Sequence, residues 1–404
     1  MLKPHRINMI RSLLLRDKRV TVAELARLLE VSDRTIRRDL KQLEEIGVAE
    51  LFFGGAQLAA IDKNTHFKQV SIRNIMSALT EKYEHSTADP AKGKSTHSGV
   101  YVLGSFNIDI VSEVSDFPRQ GETIHSLSTE FYAGGKGSNQ ATAAAKVNDL
   151  VHLTVKIGKD EFGSKARSYF STTDINSFTI LEDEAKHTGN ASIFVSRKRG
   201  ENFIAIDLGA NLSLTEQEIC QEFSLIQDSR VFLTQLENNF DATRRALEYA
   251  STTDSLIILN PAPYQEQVKS VIHLVDIITP NETEAQDLTG IEITDIATAK
   301  QAATAIYEMG VKIVLITMGS QGVLLFNGEE HRHYPSFKAV VTDTSGAGDS
   351  FNGSLAACLA NGKPLDYAIK FASAYASLAV ERKGASNMPN ASLAEARLNE
   401  QEGM

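Results

Sequence analysis

The chain has 404 residues, 42% hydrophobic and 23% charged, with a formal net charge of −10. That length requires two or more folding units, and the composition is that of an ordinary globular protein with a large apolar core. Cys220 and Cys358, the two cysteines, stand far apart, which excludes a disulfide framework or a Cys-based metal site and leaves two buried thiols as the expectation.

Residues 1–60 hold eleven Lys/Arg against eight Asp/Glu, a net of +3, so the remainder carries −13. A basic head on an acidic body suits a small nucleic-acid module joined to a small-molecule enzyme. Residues 1–11 carry Lys3, His5, Arg6 and Arg11 without a long apolar run. Neither a signal peptide nor a membrane span is expected, and the chain reads as cytoplasmic.

A first helix is expected over 6–15, with Ile7, Ile10, Leu13 and Leu14 on one face. Thr21-Val22-Ala23-Glu24 has capping-box spacing and opens a short helix with Leu25, Leu28 and Leu29 inward. Ser32 then caps a third helix over 33–46, with Ile36, Leu40 and Leu43 inward and Arg34, Arg37, Arg38 and Lys41 outward. In such a helix-turn-helix, Arg34, Thr35, Arg37 and Arg38 can reach base edges or phosphates in a major groove. The same residues serve equally as a solvated charged face. Residues 58–98 read as a linker with one short helical pattern through Ile72, Ile75, Met76 and Leu79, and 86–98 are rich in small, polar and turn-forming residues.

From residue 99 apolar runs alternate with helical patterns. Strands are expected at 100–103, 151–155, 231–233, 256–259, 277–278 and 313–316, and helices at 241–250 and 296–309. This is an α/β body with helices on both faces of a mostly parallel sheet, whose ligands sit beyond the carboxyl ends of the strands. Three motifs fall there. Asn107 and Asp109 after the first strand can meet neighbouring hydroxyls, or close the strand as an Asx turn. Gly134-Gly135-Lys136-Gly137-Ser138-Asn139 precedes a helix expected over 141–146, and its glycines let amides approach a polar ligand while Lys136 and Asn139 add donors. It lacks Walker A spacing. In Asp343-Thr344-Ser345-Gly346-Ala347-Gly348-Asp349, the amides of Gly346, Ala347 and Gly348 open a helix and can hold a transferring phosphoryl group, while Asp349 can take the attacking hydroxyl's proton. Taken alone, that motif serves equally as ordinary helix capping. His331-Arg332-His333 and Arg197-Lys198-Arg199 read as surface hairpins.

Over 5–57, Val31-Ser32-X-Arg34-Thr35-Ile36-Arg37-Arg38-Asp39-Leu40 and Gly54-Gly55-Ala56 resemble the winged helix-turn-helix of DeoR-type sugar-metabolism repressors. The wing departs from that family: Leu51 and Phe53, with Glu50 adjacent, stand where an Arg and a His are usual. Over 99–390, the motifs at 134–141 and 343–353 resemble the two signatures of the PfkB sugar kinases. Thr188 to Val195, Gly209-Ala210-Asn211, Asn260-Pro261-Ala262-Pro263 and Thr279 to Ala285 are similar to the ribokinases in particular.

The resemblance implies a ribokinase-like parallel-sheet sandwich with a small β lid over 110–132, a winged head over 1–57 and a C-terminal tail over 391–404. It implies ATP-dependent phosphorylation of D-ribose to D-ribose 5-phosphate, with Asp349 as base and an anion hole at Gly346, Ala347 and Gly348. Asn107, Asp109, Gly135, Lys136, Asn139 and Glu237 match sugar contacts. Asn281, Thr317, Gly319, Ser320, Gln321, Gly322 and Gly348 match the nucleotide site. Glu284 matches a Mg²⁺ contact through water, and Asp343, Ser345, Gly384 and Ser386 match a K⁺ site. A homodimer joined through the lids is implied, and it suits a head that reads a two-fold DNA operator. The competing readings are a sugar-responsive regulator with an inactive kinase body, and a kinase for another sugar such as deoxyribose.

Overall fold

The computed structural model describes Ile10 and residues 19–29, 31–45, 49–52, 54–58 and 99–402. The chain divides into two units, Met1–Ser71 and Ile72–Met404.

In the first unit, β1 (Arg19–Thr21), α1 (Val22–Leu28), α2 (Asp33–Glu45), β2 (Ala49–Phe52) and β3 (Gly55–Leu58) follow one another, and the strands form an antiparallel sheet in the order β1-β3-β2. α1 starts at the expected box: Glu24 N donates to Thr21 Oγ1 at 3.3 Å and Thr21 N to Glu24 Oε2 at 3.2 Å. Ser32 Oγ accepts from Thr35 N at 3.3 Å at the head of α2. Ile10, Val20, Val22, Leu25, Leu29, Ile36, Leu40, Ala49 and Ala56 make a core of their own. The rest of the expected first helix, the side chains of Leu28 and Leu43, Phe53, and the linker from residue 59 to 98 lie outside the described residues.

The second unit is built on β4 (Val100–Leu103), β5 (Asn107–Val114), β6 (Ser128–Gly134), α3 (Lys136–Ala145), β7 (Val151–Gly158), α4 (Glu161–Phe170), β8 (Ser177–Asp183), β9 (Gly189–Ser196) and β10 (Asn202–Asp207). The short helices α5 (Glu216–Gln221) and α6 (Phe223–Asp228) lead to β11 (Val231–Thr234), α7 (Phe240–Ala250), β12 (Leu256–Leu259), β13 (Ile277–Ile278), α8 (Glu282–Thr289) and α9 (Ile296–Glu308). The chain closes with β14 (Ile313–Thr317), β15 (Val323–Phe326), β16 (His331–Tyr334), α10 (Ala347–Ala360), α11 (Leu365–Ala379) and α12 (Ala391–Glu402).

Nine strands form the main sheet in the order β16-β15-β14-β13-β12-β11-β4-β7-β8, parallel from β14 to β8 and antiparallel at β15 and β16. The central strands β4, β11, β12 and β13 are apolar at nearly every position because both faces are covered. Val100 and Val102 enter one core with α3, α10 and α11, while Tyr101 and Leu103 enter the other with α7 and α9. Connections therefore bring polar residues to one edge: Ser105 after β4, Glu237 after β11, Asn260 after β12, Asn281 after β13 and Thr317 at the end of β14.

Three expectations change. The lid is a four-stranded sheet ordered β10-β9-β5-β6, so 189–207 join it as well as the stretch expected at 110–132. Residues 391–402, expected as a tail, form α12, whose Ala394 and Leu398 are buried in the main core; three apolar residues spaced along a polar stretch suffice once a neighbour, α11, offers a surface. Cys358 is buried, which pushes its thiol up to about 12, but Cys220 on α5 is exposed.

Candidate active site

α10 begins where its sequence forbids a side-chain cap. Gly346 occupies the N-cap with φ 76°, and a Cβ there would lie 2.7 Å from the Ala385 carbonyl oxygen. Only glycine satisfies both demands. Gly346, Ala347 and Gly348 consequently reach the cleft as bare backbone at a helix N-terminus, an arrangement that favours anions, although Ala347 N leans on Thr344 O at 3.3 Å.

Asp349, in the first turn of α10, is buried. Its Oδ2 accepts from Asn139 Nδ2 and its Oδ1 from Gln140 Nε2, each at 3.0 Å. A buried carboxylate needs such donors to stay charged. The cleft in front of it encloses about 220 Å³ and is lined by Lys136, Asn260, Thr279, Asn281, Glu284, Thr317, Thr344 and the glycine turn.

The helix expected from residue 141 starts at Lys136, with Gly135 as N-cap. Lys136 and Asn139 are therefore helical residues. Gly137, Ser138 and Asn139 are poor helix formers, but burial against β4 and α10 overrides local preference. Burial opposes the charge on Lys136, but Asp349, Glu237 and Glu284 together outweigh it and hold its pKa above the ordinary lysine value. Glu237 Oε2 accepts from the Lys136 backbone N at 3.0 Å and from the Ser105 hydroxyl, so part of this acid's work is to hold the N-terminus of α3.

On the lid, Asn107 is buried and its Oδ1 accepts from Asn211 Nδ2 at 2.9 Å. Asn211 is fixed in turn by Phe106 N at 3.1 Å and by the Leu208 carbonyl at 2.9 Å. Asn107 thus offers its NH₂ group. Asp109, two residues on, is raised to about 7, first by burial and then by the carboxylates of Glu237 and Asp349.

Asn281 and Glu284 form the capping box of α8: Glu284 N donates to Asn281 Oδ1 and Asn281 N to Glu284 Oε2, both at 2.9 Å. Burial raises the Glu284 carboxyl above its usual range. Thr317 faces the cleft, whereas Gly319, Ser320 and Gln321 form an exposed turn that does not line it, closed by a buried Gly322. Asp343 ties two loops together, accepting from Ser345 N and from Gly384 N at 2.9 Å each, with Ser386 two residues on. The structure thus gathers Lys136, Asn281, Glu284 and Asp349 around one cleft, with Asn139 hydrogen-bonded to Asp349 and with Asp109 and Glu237 close enough to act on them electrostatically. Sequence reasoning gave no role to Gln140, Asn211, Asn260 or Thr279, though each stood inside a motif it used. Asn260 and Thr279 carry a signal, a polar residue directly after a buried strand, whereas Gln140, in the second turn of α3, and Asn211, after the exposed β10, carry none.

A doubly covered parallel sheet with a β lid, and an acid at a glycine-opened helix beyond the strand ends, defines a small-molecule phosphotransferase of the sugar-kinase kind. Residues 98–392 match the pfkB family carbohydrate kinases and residues 6–61 a DeoR-like helix-turn-helix domain. The chain belongs to the pfkB family of carbohydrate kinases, as a ribokinase-like member with a DeoR-like helix-turn-helix domain at its N-terminus. It is 38% identical over 284 residues to the ribokinase of Haemophilus influenzae, covering 70% of this chain and 92% of that one. It is 31% identical over 286 residues to the deoxyribokinase of Salmonella typhi, covering 70% and 93%. The Arabidopsis thaliana ribokinase solved with ribose and ATP superposes with a TM-score of 0.69 at 29% identity, covering 75% of this chain and 99% of that one.

Proposed function

We propose that the chain transfers the γ-phosphoryl group of ATP to the 5-hydroxyl of D-ribose, giving D-ribose 5-phosphate and ADP. The observation that carries this reading is a buried Asp349, held by two amide donors, beside a bare helix N-terminus and facing a polar cleft that Lys136 enters. Asp349 takes the proton of the attacking hydroxyl, and the turn Gly346, Ala347 and Gly348 meets the charge that develops on the phosphoryl group. Asn107, Asp109, Gly135, Lys136, Asn139 and Glu237 hold the sugar. The NH₂ group of Asn107, oriented by Asn211, favours a sugar bearing a 2-hydroxyl over 2-deoxyribose.

Asn281, Thr317, Gly348 and the turn Gly319, Ser320, Gln321 and Gly322 take the nucleotide. Glu284, with one oxygen engaged by Asn281 N and the other left toward the cleft, suits a hydrated divalent cation. Asp343 and Ser345, joined by hydrogen bonding to the loop of Gly384 and Ser386, suit a K⁺ ion held largely by carbonyl oxygens. When bound, Mg²⁺ and K⁺ supply positive charge next to the phosphates and the anion hole.

The edge strand β10 and its neighbour β9 leave Phe194, Phe203, Ile204 and Ile206 exposed, Phe203 by 63%, which supports a homodimer joined lid to lid. A DNA operator is the partner of the head. No helix among the described residues is long and apolar enough to cross a membrane, which accords with a cytoplasmic site of action.

A sugar panel tests the reading. With ATP, Mg²⁺ and K⁺, turnover of ribose is expected to exceed that of deoxyribose, fructose or nucleosides, measured as kcat/KM; failure to turn over any sugar would leave the chain a sensor.

Asp109 adds a pH dependence. The carboxylate form accepts two sugar hydroxyls, but in the free protein this side chain holds its proton up to about pH 7. A raised acid must release that proton before the sugar binds, so KM for ribose is expected to rise as pH falls below 7, approaching tenfold per unit. Steady-state KM between pH 5.5 and 8.5 checks it, and the slope should vanish in Asp109→Asn, whose KM is high throughout.

A further inference from the structure

Gln140 belongs to none of the ligand-contact sets proposed above, yet it is fully buried one residue beyond Asn139. Its Nε2 donates to Asp349 Oδ1 at 3.0 Å and to Asn260 Oδ1 at 3.1 Å, and its Oε1 accepts from Gln235 Nε2 at 2.7 Å. Asn260 Nδ2 in turn donates to the Thr279 carbonyl at 3.2 Å.

The polarity of this chain is determined from its far end. A backbone carbonyl can only accept, so Asn260 must turn its NH₂ to Thr279 and its oxygen to Gln140. Gln140 must then present its own NH₂ to both Asn260 and Asp349, because a flipped amide would set its oxygen against two other oxygens. Gln235 holds the end that remains. The backbone permits this closeness at Gly353, where a Cβ would lie 2.1 Å from the Gln140 carbonyl oxygen. Asn139 differs: its Oδ1 is buried without a hydrogen-bond partner among the described residues, so no second partner fixes which way its amide turns.

We propose that Gln140 is a positioning residue for phosphoryl transfer, the last link of an amide relay from the Thr279 carbonyl through Asn260 that orients Asp349. The proposal rests on the reading of Asp349 as the base. A carboxylate offers about four lone-pair sites, so an N–H on each oxygen leaves room for the sugar hydroxyl while fixing the direction of the remaining pairs. The relay also opposes unfavourable surroundings: Asp349 faces the carboxyls of Asp109 from β5 and Glu284 from α8, with Lys136 of α3 the cation among these groups.

The test uses the full chain with ribose, ATP, Mg²⁺ and K⁺. Gln140→Met, of similar length without a donor, is expected to lower kcat about ten- to a hundredfold with unchanged ATP affinity. Gln140→Glu, nearly isosteric, can still donate to Asp349 when protonated, so its kcat at saturating ribose, taken relative to the parent at each pH, is expected to be greatest at low pH and to fall as pH rises. Thermal melts report folding, and if Gln140→Met does not fold, Gln140→Glu carries the test. A loss in Gln140→Glu that is equal at every pH, or no loss in either variant, would overturn the relay. Asp349→Asn separates the two claims: retained turnover there removes the base reading, whereas an inactive Asp349→Asn beside a normal Gln140→Met removes the relay alone.

Discussion

Asp349→Asn is expected to lower kcat by about a hundred- to ten-thousandfold while leaving ATP affinity within a factor of two or so. The substitution conserves shape and removes the proton acceptor. Its effect on the fold is small for a reason visible in the donors: the new amide has one oxygen for two N–H groups, and one of them can yield. Asn139, with its own oxygen unpartnered, can turn that oxygen toward the new NH₂. Gln140 cannot turn, because Asn260 and Gln235 hold it, so the substituted oxygen falls to Gln140. The melting temperature should therefore stay near that of the parent while single-turnover chemistry collapses. Rapid-quench measurement of the phosphoryl-transfer step and calorimetric titration of ATP check the two halves. A loss of less than tenfold would remove Asp349 from the role of base and leave it as a structural acceptor for Asn139 and Gln140.

Legibility in the sequence followed burial. β4, β11, β12 and β14 are apolar at consecutive positions because both sheet faces are covered, and runs of that kind are readable one strand at a time. The start of α3 was not, since Gly137, Ser138 and Asn139 are weak helix formers held helical by contacts more than thirty residues distant in sequence, such as Gly137 N with Ser105 Oγ. The lid was half readable for the same reason. β5 and β6 are adjacent in sequence, while β9 joins β5 in parallel across a long crossover, a pairing that no local pattern encodes. Among site residues, those with a charge or a glycine and the amides Asn107, Asn139 and Asn281 were named from the sequence, and Gln140, Asn211 and Asn260 were not. Their function lies in which way an amide points, and that is set by partners brought in from other strands. The capping box at Asn281 and Glu284 carries the opposite lesson: a spacing that does local structural work also fills a motif used to propose a ligand.

For the head, Arg34→Ala/Arg38→Ala is expected to weaken binding to DNA upstream of the chain's own operon by about two to six kcal/mol, on the order of thirtyfold to beyond ten-thousandfold. Both arginines are exposed on α2, whose opposite side buries Ile36 and Leu40, so their removal costs the core nothing. Thr35 contributes less, because its hydroxyl already pairs with Ser32 Oγ at 2.9 Å. The wing gives little in compensation: Leu51 is exposed and apolar, and Glu50 accepts from Gln57 Nε2 at 3.0 Å, so β2 brings an acid rather than a cation toward phosphate. α2 is then expected to carry a larger share of the affinity than in a head with a basic wing. Salt titration of the binding constant separates the roles. If both side chains contact phosphate, the slope of log K against log salt falls by about two in magnitude and sequence preference survives. If they read base edges, the slope changes less and discrimination between operator and unrelated DNA is lost. Ribose turnover by the same variant should equal the parent's, since the substitutions lie in a unit with its own core; a parallel loss would tie the head to catalysis and overturn that independence.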